Sequence, residues 1–275
     1  MSGDFCFETR YGFFMQRKRS TKTVLKKKGR DDMLKTIREK IEEAQFVLVG
    51  IGEEMAFKEK KVFTGEASWL NDYKRAWEAE YVKENNILSA YERLSELLRG
   101  KIYFIVTMNT DDLIYRSSLN KEQIVAPCGS IHRLQCEEHL FDGKEEIERI
   151  QKEIKEGKAP ELIRKPLCPI CHREAKMNIV KTEGYLEEGY LPNWERYRTW
   201  LSCTLNKKLC ILELGVGFQY PSVIRWPFEK TAFLNQKASF VRINSKFFQI
   251  SEELRGKAVT VAANPIDFLT EDMVH

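Results

Sequence analysis

The chain has 275 residues, of which 43% are hydrophobic and 31% charged, with a formal net charge of +4. That length and apolar share suffice for one large domain or a domain plus a module, and they exclude a fibrous or wholly disordered chain. Apolar runs are short and interrupted, far below the roughly 20 residues that cross hydrocarbon. Phe5, Cys6 and Phe7 do not form the apolar block of a signal peptide, so a cytoplasmic location is expected.

The first stretch crowds Arg17, Lys18, Arg19, Lys22, Lys26, Lys27, Lys28 and Arg30 together. Residues 1–30 read as a basic arm: a solvated face, or a patch for nucleic acid or an acidic surface. Residues 31–45 follow with helical spacing at Leu34, Ile37, Ile41 and Ala44. Phe46-Val-Leu-Val-Gly50 is β-branched and short enough for a buried parallel strand, and Ile51, Gly52, Glu53 and Glu54 form its exit loop.

Residues 86–99 predict a second helix stopped by Gly100, leading into the strand Ile102-Tyr-Phe-Ile-Val-Thr107. Further strands are expected at Gln123 to Ala126, Leu209 to Leu214, Ser239 to Ile243 and Ala258 to Val261. Unalternating strands separated by crossover-length segments predict an α/β fold: a Rossmann-like open parallel sheet with helices on both faces. The charged helix at residues 144–156, with Ile147, Ile150 and Ile154 as its thin stripe, lies between two metal-type motifs. Residues 136–180 therefore read as an inserted zinc-binding module within a main domain made of residues 31–135 and 181–275.

The ligand string of that module is Cys136-x2-His139-x28-Cys168-x2-Cys171, with His172 as an alternative to His139. Two intervening residues let both members of a pair reach one tetrahedral ion, and four protein ligands leave no open position, so the expected zinc is structural. Of the seven cysteines, Cys6, Cys203 and Cys210 are left as small hydrophobes, and a reduced metal site is more economical than disulfides.

Ligands of an open parallel sheet bind beyond the C-terminal strand ends, where loops diverge and backbone N–H groups lack partners. Gly50 and Gly52, Asn109 and Asp111, Cys128 and Ser130, Gly215 and Gly217, and Asn244 all fall there. The plainer alternative is that the glycines close turns while Asn109 and Asp111 cap a helix.

In order, Val49-Gly-Ile-Gly52, Thr107-Met-Asn-Thr-Asp-Asp112, Cys128-Gly-Ser130, the four metal-type ligands, Gly215-Val-Gly217 and Ile243-Asn244 follow one known pattern. Across most of residues 31–265 the chain resembles the sirtuin (Sir2) family of NAD-dependent protein deacylases and ADP-ribosyltransferases. The resemblance implies that Gly50, Gly52, Gly215, Gly217 and Asn244 bind NAD, that Asn109 sits by the nicotinamide ribose, and that Asp111 meets the nicotinamide amide. It also implies an acceptor that is an acyl lysine, another protein group or a small molecule.

Two departures matter. Sirtuins follow the first glycines with small or polar residues, whereas Glu53 and Glu54 here would repel a diphosphate unless they turn away or a cation intervenes. The family's catalytic histidine is replaced by Cys128, whose reference pKa of about 8.5, against about 6.5 for histidine, makes it a poor base. His132 would assist Cys128 if residues 128, 130 and 132 share a face of extended chain. The leading expectation is an atypical sirtuin-like transferase with Asn109, Cys128 and His132 as catalytic candidates. The alternatives are an inactive NAD or ADP-ribose binder and a zinc-containing nucleic-acid adapter. The aromatic run from Tyr190 to Trp200 has helical spacing and is assigned to packing.

Overall fold

The computed structural model describes residues 29–58, 61–81 and 86–271. The basic arm thus falls outside the described residues except for Gly29 and Arg30, which open helix α1 (29–43). The chain forms two compact units, 1–43 and 44–275. In the first, Ile37 and Ile41 lie one turn apart on a face of α1, and the Thr36 hydroxyl donates to the Asp32 carbonyl at 3.0 Å.

Among the described residues the second unit carries nine strands: β1 (Phe46–Ile51), β2 (Ile102–Thr107), β3 (Ile124–Val125), β4 (Gly129–Gln135), β5 (Leu140–Asp142), β6 (Lys176–Ile179), β7 (Leu209–Leu214), β8 (Ala238–Ile243) and β9 (Ala258–Val261). Six form a parallel sheet in the order β3-β2-β1-β7-β8-β9. β1 pairs with β2 on one side and β7 on the other, Val47 lying opposite Tyr103 and Cys210. The order reverses at β1, so a crevice opens beyond its C-terminal end.

Helices α2 (Leu70–Tyr81), α3 (Asn86–Leu97), α4 (Lys144–Lys155), α5 (Leu191–Ser202), α6 (Arg225–Leu234) and α7 (Pro265–Thr270) complete the unit. Val47, Leu48, Val49 and Ile51 of β1 are all inaccessible, which is why the strand shows no apolar-polar alternation. In α3, Ile87, Ala90, Tyr91 and Leu94 are buried at helical spacing, and Gly100 at φ +75° ends the turn that follows. Trp200 of α5 packs edge-on against Phe46, while Tyr197 lies against Phe104, the packing role expected for that run.

The Rossmann-like sheet with flanking helices is the predicted fold class. A second, antiparallel sheet, ordered β5-β4-β6, joins the segments that carry the Cys/His cluster. Its strand β4 begins at Gly129, so the excursion from the main sheet starts seven residues before residue 136. No helix among the described residues is long and apolar enough to cross a membrane.

Candidate functional site

The glycines at the strand ends are there for close approach. A Cβ on Gly50 would strike Ile224 and Phe228, and one on Gly52 would strike the Gly215 carbonyl and Val216. Gly50 is thus a packing position beneath α6, and Gly52 lets the β1 and β7 exits touch, its N–H donating to the Leu214 carbonyl at 2.9 Å. Gly215 adopts φ +66°, with Glu54 against the side where a Cβ would project. Asn244 is spent on its own turn: its side chain donates to the Val216 carbonyl at 3.1 Å and accepts from Lys246 and Phe247 N–H at 2.9 and 2.7 Å.

Both loop glutamates turn inward, onto these ends. The Glu53 carboxylate accepts from the Gly217 N–H at 3.0 Å, in the space a side chain on Gly217 would fill. Glu54 accepts from the Ser245 N–H at 3.0 Å and from the Ser245 hydroxyl.

Beside them lies a cavity of about 290 Å³ whose lining includes Glu53, Lys61, Arg75, Asn109, Cys128 and Lys181. Asn109 is placed by the turn after β2, its N–H donating to the Thr107 hydroxyl at 3.1 Å and its amide to the Tyr91 hydroxyl at 3.4 Å. Asp111 does not line this cavity. Its carboxylate accepts the Phe57 N–H at 2.7 Å and the Leu113 N–H at 3.1 Å, while burial raises its pKa above the usual carboxylate value. Cys128 is 1% exposed among apolar neighbours, and burial pushes its thiol up to about 12.

His132 lies elsewhere. It lines a larger cavity of about 700 Å³ with Asp112, Ser130 and Arg133, and a small one of about 190 Å³ with Asp142. The expected shared face of residues 128, 130 and 132 fails because Gly129 sits at φ +90° and the β4–β6 register shifts between Gly129 and Leu134. A Cβ on Gly129 would collide with the Asn178 carbonyl, so only glycine fits there. Ser130 instead donates its hydroxyl to Asp112, a residue at φ +57° whose carboxyl burial pushes up to about 6.

In the small lobe Cys136, His139, Cys168 and Cys171 bring one ligand atom each within 4.8 Å of one another. Cys136 Sγ lies 3.7 Å from Cys171 Sγ, and His139 Nδ1 lies 3.4 Å from Cys136 Sγ and 3.7 Å from Cys168 Sγ. A tetrahedron with metal–sulfur bonds of about 2.3 Å has edges of about 3.8 Å, so the donor set fits a tetrahedral ion. His172, at φ +58°, is exposed and outside the cluster. Arg173, which the spacing did not single out, donates to Cys171 Sγ at 3.4 Å and pairs with Glu137 and Glu138. The Arg173 backbone N–H, then its side chain, lower the Cys171 thiol to about 6.

A buried ion network under the strand ends was also missed. Glu213 and Arg242, opposite each other in β7 and β8, pair at 2.7 Å, and Arg242 reaches Glu229 at 2.6 Å and the Gln249 carbonyl at 2.6 Å. Arg225 donates to the Val216 and Phe247 carbonyls, each at 2.9 Å. The available signal is a single charge inside each of two otherwise uncharged strands, Leu-Cys-Ile-Leu-Glu-Leu and Ala-Ser-Phe-Val-Arg-Ile.

No protein-family model matches the chain. It is 22% identical over 272 residues to a protein ADP-ribosyltransferase of Staphylococcus aureus strain Mu50, covering 86% of this chain and 83% of that protein. It is 30% identical over 155 residues to a probable bifunctional ADP-ribose hydrolase/ADP-ribosyltransferase of Fusarium oxysporum f. sp. cubense, covering 50% of this chain but 25% of that protein. Among solved structures, a Sir2 mutant with a peptide and NAD matches at 16% identity and a TM-score of 0.54, covering 87% of this chain and 96% of that one. Sir2 bound to an acetylated peptide matches at 15% identity and a TM-score of 0.53, covering 87% and 97%. Sir2Af2 bound to a myristoylated histone peptide matches at 15% identity and a TM-score of 0.53, covering 88% and 96%. The described architecture is a Sir2-type fold.

Proposed function

We propose that the chain is an NAD-utilising transferase of the sirtuin and ADP-ribosyltransferase class that displaces nicotinamide and passes the ADP-ribosyl group to an acceptor. The observation that carries this reading is one cavity of about 290 Å³ uniting Asn109 and Cys128 with the first loop. Its lining fits the charge of the ligand, since Lys61, Arg75 and Lys181 outnumber Glu53 and Asp72. Its volume suits one end of a dinucleotide, and the rest would extend along the loops after β1, β7 and β8. Bound NAD supplies a ribosyl carbon whose bond to nicotinamide is the one broken.

In this reading Asn109 orders the ribose and neighbouring water with the amide that Tyr91 holds in place. Asp111 acts from outside the cavity, keeping its loop fixed through Phe57 and Leu113. Gly52, Gly215 and Gly217 keep the backbone close, and Gly50 seats that loop on α6. Cys128 shapes the cavity as an apolar wall. A thiol held near 12 does not take protons at neutral pH, so deacylation, which asks more of a base, is the weaker branch and ADP-ribosyl transfer the stronger. Both relatives named above are described as ADP-ribosyltransferases. The acceptor is a protein or peptide group, an acyl lysine included, or a small molecule. Zinc is assigned to the Cys136, His139, Cys168 and Cys171 cluster, and a reducing cytoplasmic compartment suits its free thiols.

A second reading, a noncatalytic NAD or ADP-ribose binder, is favoured by the same neutral Cys128 and by Glu53 on the Gly217 N–H. Titration calorimetry with NAD and ADP-ribose, followed by nicotinamide release from wild type and Asn109→Ala, separates the two. We expect binding by wild type and release that falls at least about tenfold in the variant, the effect of ~1.4 kcal/mol in the transition state. Binding without release across protein and small-molecule acceptors leaves the binder; no binding of either nucleotide removes both. Salt-sensitive RNA binding that survives Asn109→Ala would instead point to the basic arm and a nucleic-acid adapter.

A further inference from the structure

Three donors at the sheet's C-terminal edge are suited to an anion: the N–H groups of Gly217 and Ser245 and the Ser245 hydroxyl. All are already taken from within the chain. Glu53 holds the Gly217 N–H at 3.0 Å across 164 residues, and Glu54 holds the Ser245 N–H at 3.0 Å and its hydroxyl across 191 residues. Neither acid is paired with a lysine or arginine in an ion pair among the described residues, so each carboxylate is held at its place by these donors.

We propose that Glu53 and Glu54 are internal competitors, carboxylates that occupy the anion-binding donors of the strand-end loops and that a phosphate-bearing ligand must displace. The inference rests on the dinucleotide reading and adds a specificity to it. Glu53 also lines the 290 Å³ cavity, so its charge acts on the same ligand that Asn109 meets. The loop can release both acids without unfolding, because the short 3-10 turn Glu53–Met55 that carries them is held by its own backbone bonds, Met55 N–H to the Gly52 carbonyl at 3.0 Å and Ala56 N–H to the Glu53 carbonyl at 3.3 Å. Full-length chains with two charges differ from one with none chiefly in what an anion meets on arrival. A carboxylate repels a diphosphate and holds its donor; the isosteric amide of glutamine still accepts from the N–H but brings no charge.

The test compares wild type, Glu53→Gln, Glu54→Gln and the double variant by titration calorimetry with ADP-ribose, NAD and, as the uncharged probe, adenosine. Glu161→Gln, an exposed acid of the small lobe, controls for net charge. We expect ADP-ribose and NAD affinity to rise about tenfold or more in the double variant, ~1.4 kcal/mol, with adenosine affinity unchanged and the control equal to wild type. Thermal stability should fall slightly at the same time, because a charge-assisted bond becomes a neutral one. If wild type binds ADP-ribose and the variants bind it equally or less well, the competitor proposal fails while the dinucleotide reading stands. An equal rise for adenosine means the loop has merely loosened and also overturns it. If no protein in the set binds NAD or ADP-ribose, the dinucleotide reading itself has failed, and this proposal with it.

Discussion

In the small lobe, four ligand atoms of Cys136, His139, Cys168 and Cys171 converge within 4.8 Å, with the Arg173 side chain on Cys171 Sγ at their edge. Along the C-terminal ends of β7 and β8 the situation is the reverse, since backbone donors there are matched by the carboxylates of Glu53 and Glu54, and Arg242 by Glu213. The lobe gathers four metal-type donors at one point, whereas the sheet edge is satisfied by the chain itself. The three-stranded sheet is small, and the zinc proposed for the Cys/His cluster would add to its stability; the six-stranded sheet has a core and can hold its polar loops by internal pairing. The two regions therefore answer to different perturbations, metal in one case and charge in the other.

The largest effect should come from the metal. Structural zinc in small modules contributes about 10–16 kcal/mol of apparent binding free energy, so chelation, or Cys168→Ser, should melt the lobe while the parallel sheet persists. Elemental analysis should find one zinc per chain, and hydrogen exchange should show β4, β5 and β6 losing protection on chelation before β1 and β7 do. Equal protection of both sheets with and without metal would erase the contrast between the regions.

Removing Arg242 comes next. Arg242→Met leaves Glu213 wholly buried without its partner, a loss of about 3–5 kcal/mol by analogy with broken buried pairs, measurable by urea unfolding. The pH dependence gives the sign. Burial already raises the Glu213 pKa, so its protonated form is favoured by folding, and stability from this group is present at low pH and lost as pH rises. Without Arg242 the rise must be greater. The variant should recover part of its stability on acidification, and a deficit that is independent of pH would show that Glu213 is not the cause.

How much of this could be read from the residues differs by region in the same way. Parallel strands buried on both faces show up as unbroken apolar runs, so Phe46 to Gly50, Ile102 to Thr107 and Leu209 to Leu214 are legible as strands, and the x2 spacing points to the four Cys/His side chains that converge. The antiparallel strands of the lobe are too short and mixed to announce themselves: Leu140–Asp142 has three residues and the β4–β6 register shifts between Gly129 and Leu134. Side-chain direction was the other limit. Whether Glu53 pointed in or out, whether Asp111 faced the cavity or the Phe57 backbone, and whether Cys128 met His132 depended on the Gly129 backbone angle and on contacts more than 50 residues apart, which no local pattern contains.

Asp112 offers a milder test at the junction of the two regions, since it accepts from Ser130 of β4 at the edge of the larger cavity. Its carboxyl is pushed from 3.8 up to about 6, chiefly by burial. A raised acid contributes stability that is fully present below its unfolded value and is lost as pH climbs through the folded one. Wild type should therefore lose stability between about pH 4 and pH 6 relative to Asp112→Asn, which has nothing to titrate there. Thermal melts of the two proteins across that window should converge toward the acid end for this group, and parallel curves would mean that the carboxyl is solvated.

Cys128 should show the smallest energetic effect, and for that reason it is the sharpest probe of what the sheet-edge cavity does. If the residue is only wall, Cys128→Ala removes one buried sulfur, costs about 1 kcal/mol in stability as other small core truncations do, and leaves ADP-ribose affinity unchanged. Nicotinamide release, where wild type supports it, should change little, because a thiol near 12 holds too little thiolate at neutral pH to act as the base. Alkylation reports the same property independently: with a thiol raised from 9.0 to about 12, Cys128 should stay unmodified by iodoacetamide at mild alkaline pH while the exposed Cys203 reacts, as peptide mapping would reveal. Rapid labelling of Cys128 in the native protein, together with loss of release in Cys128→Ala, would mean that the cavity lowers the thiol's pKa and that Cys128 is catalytic.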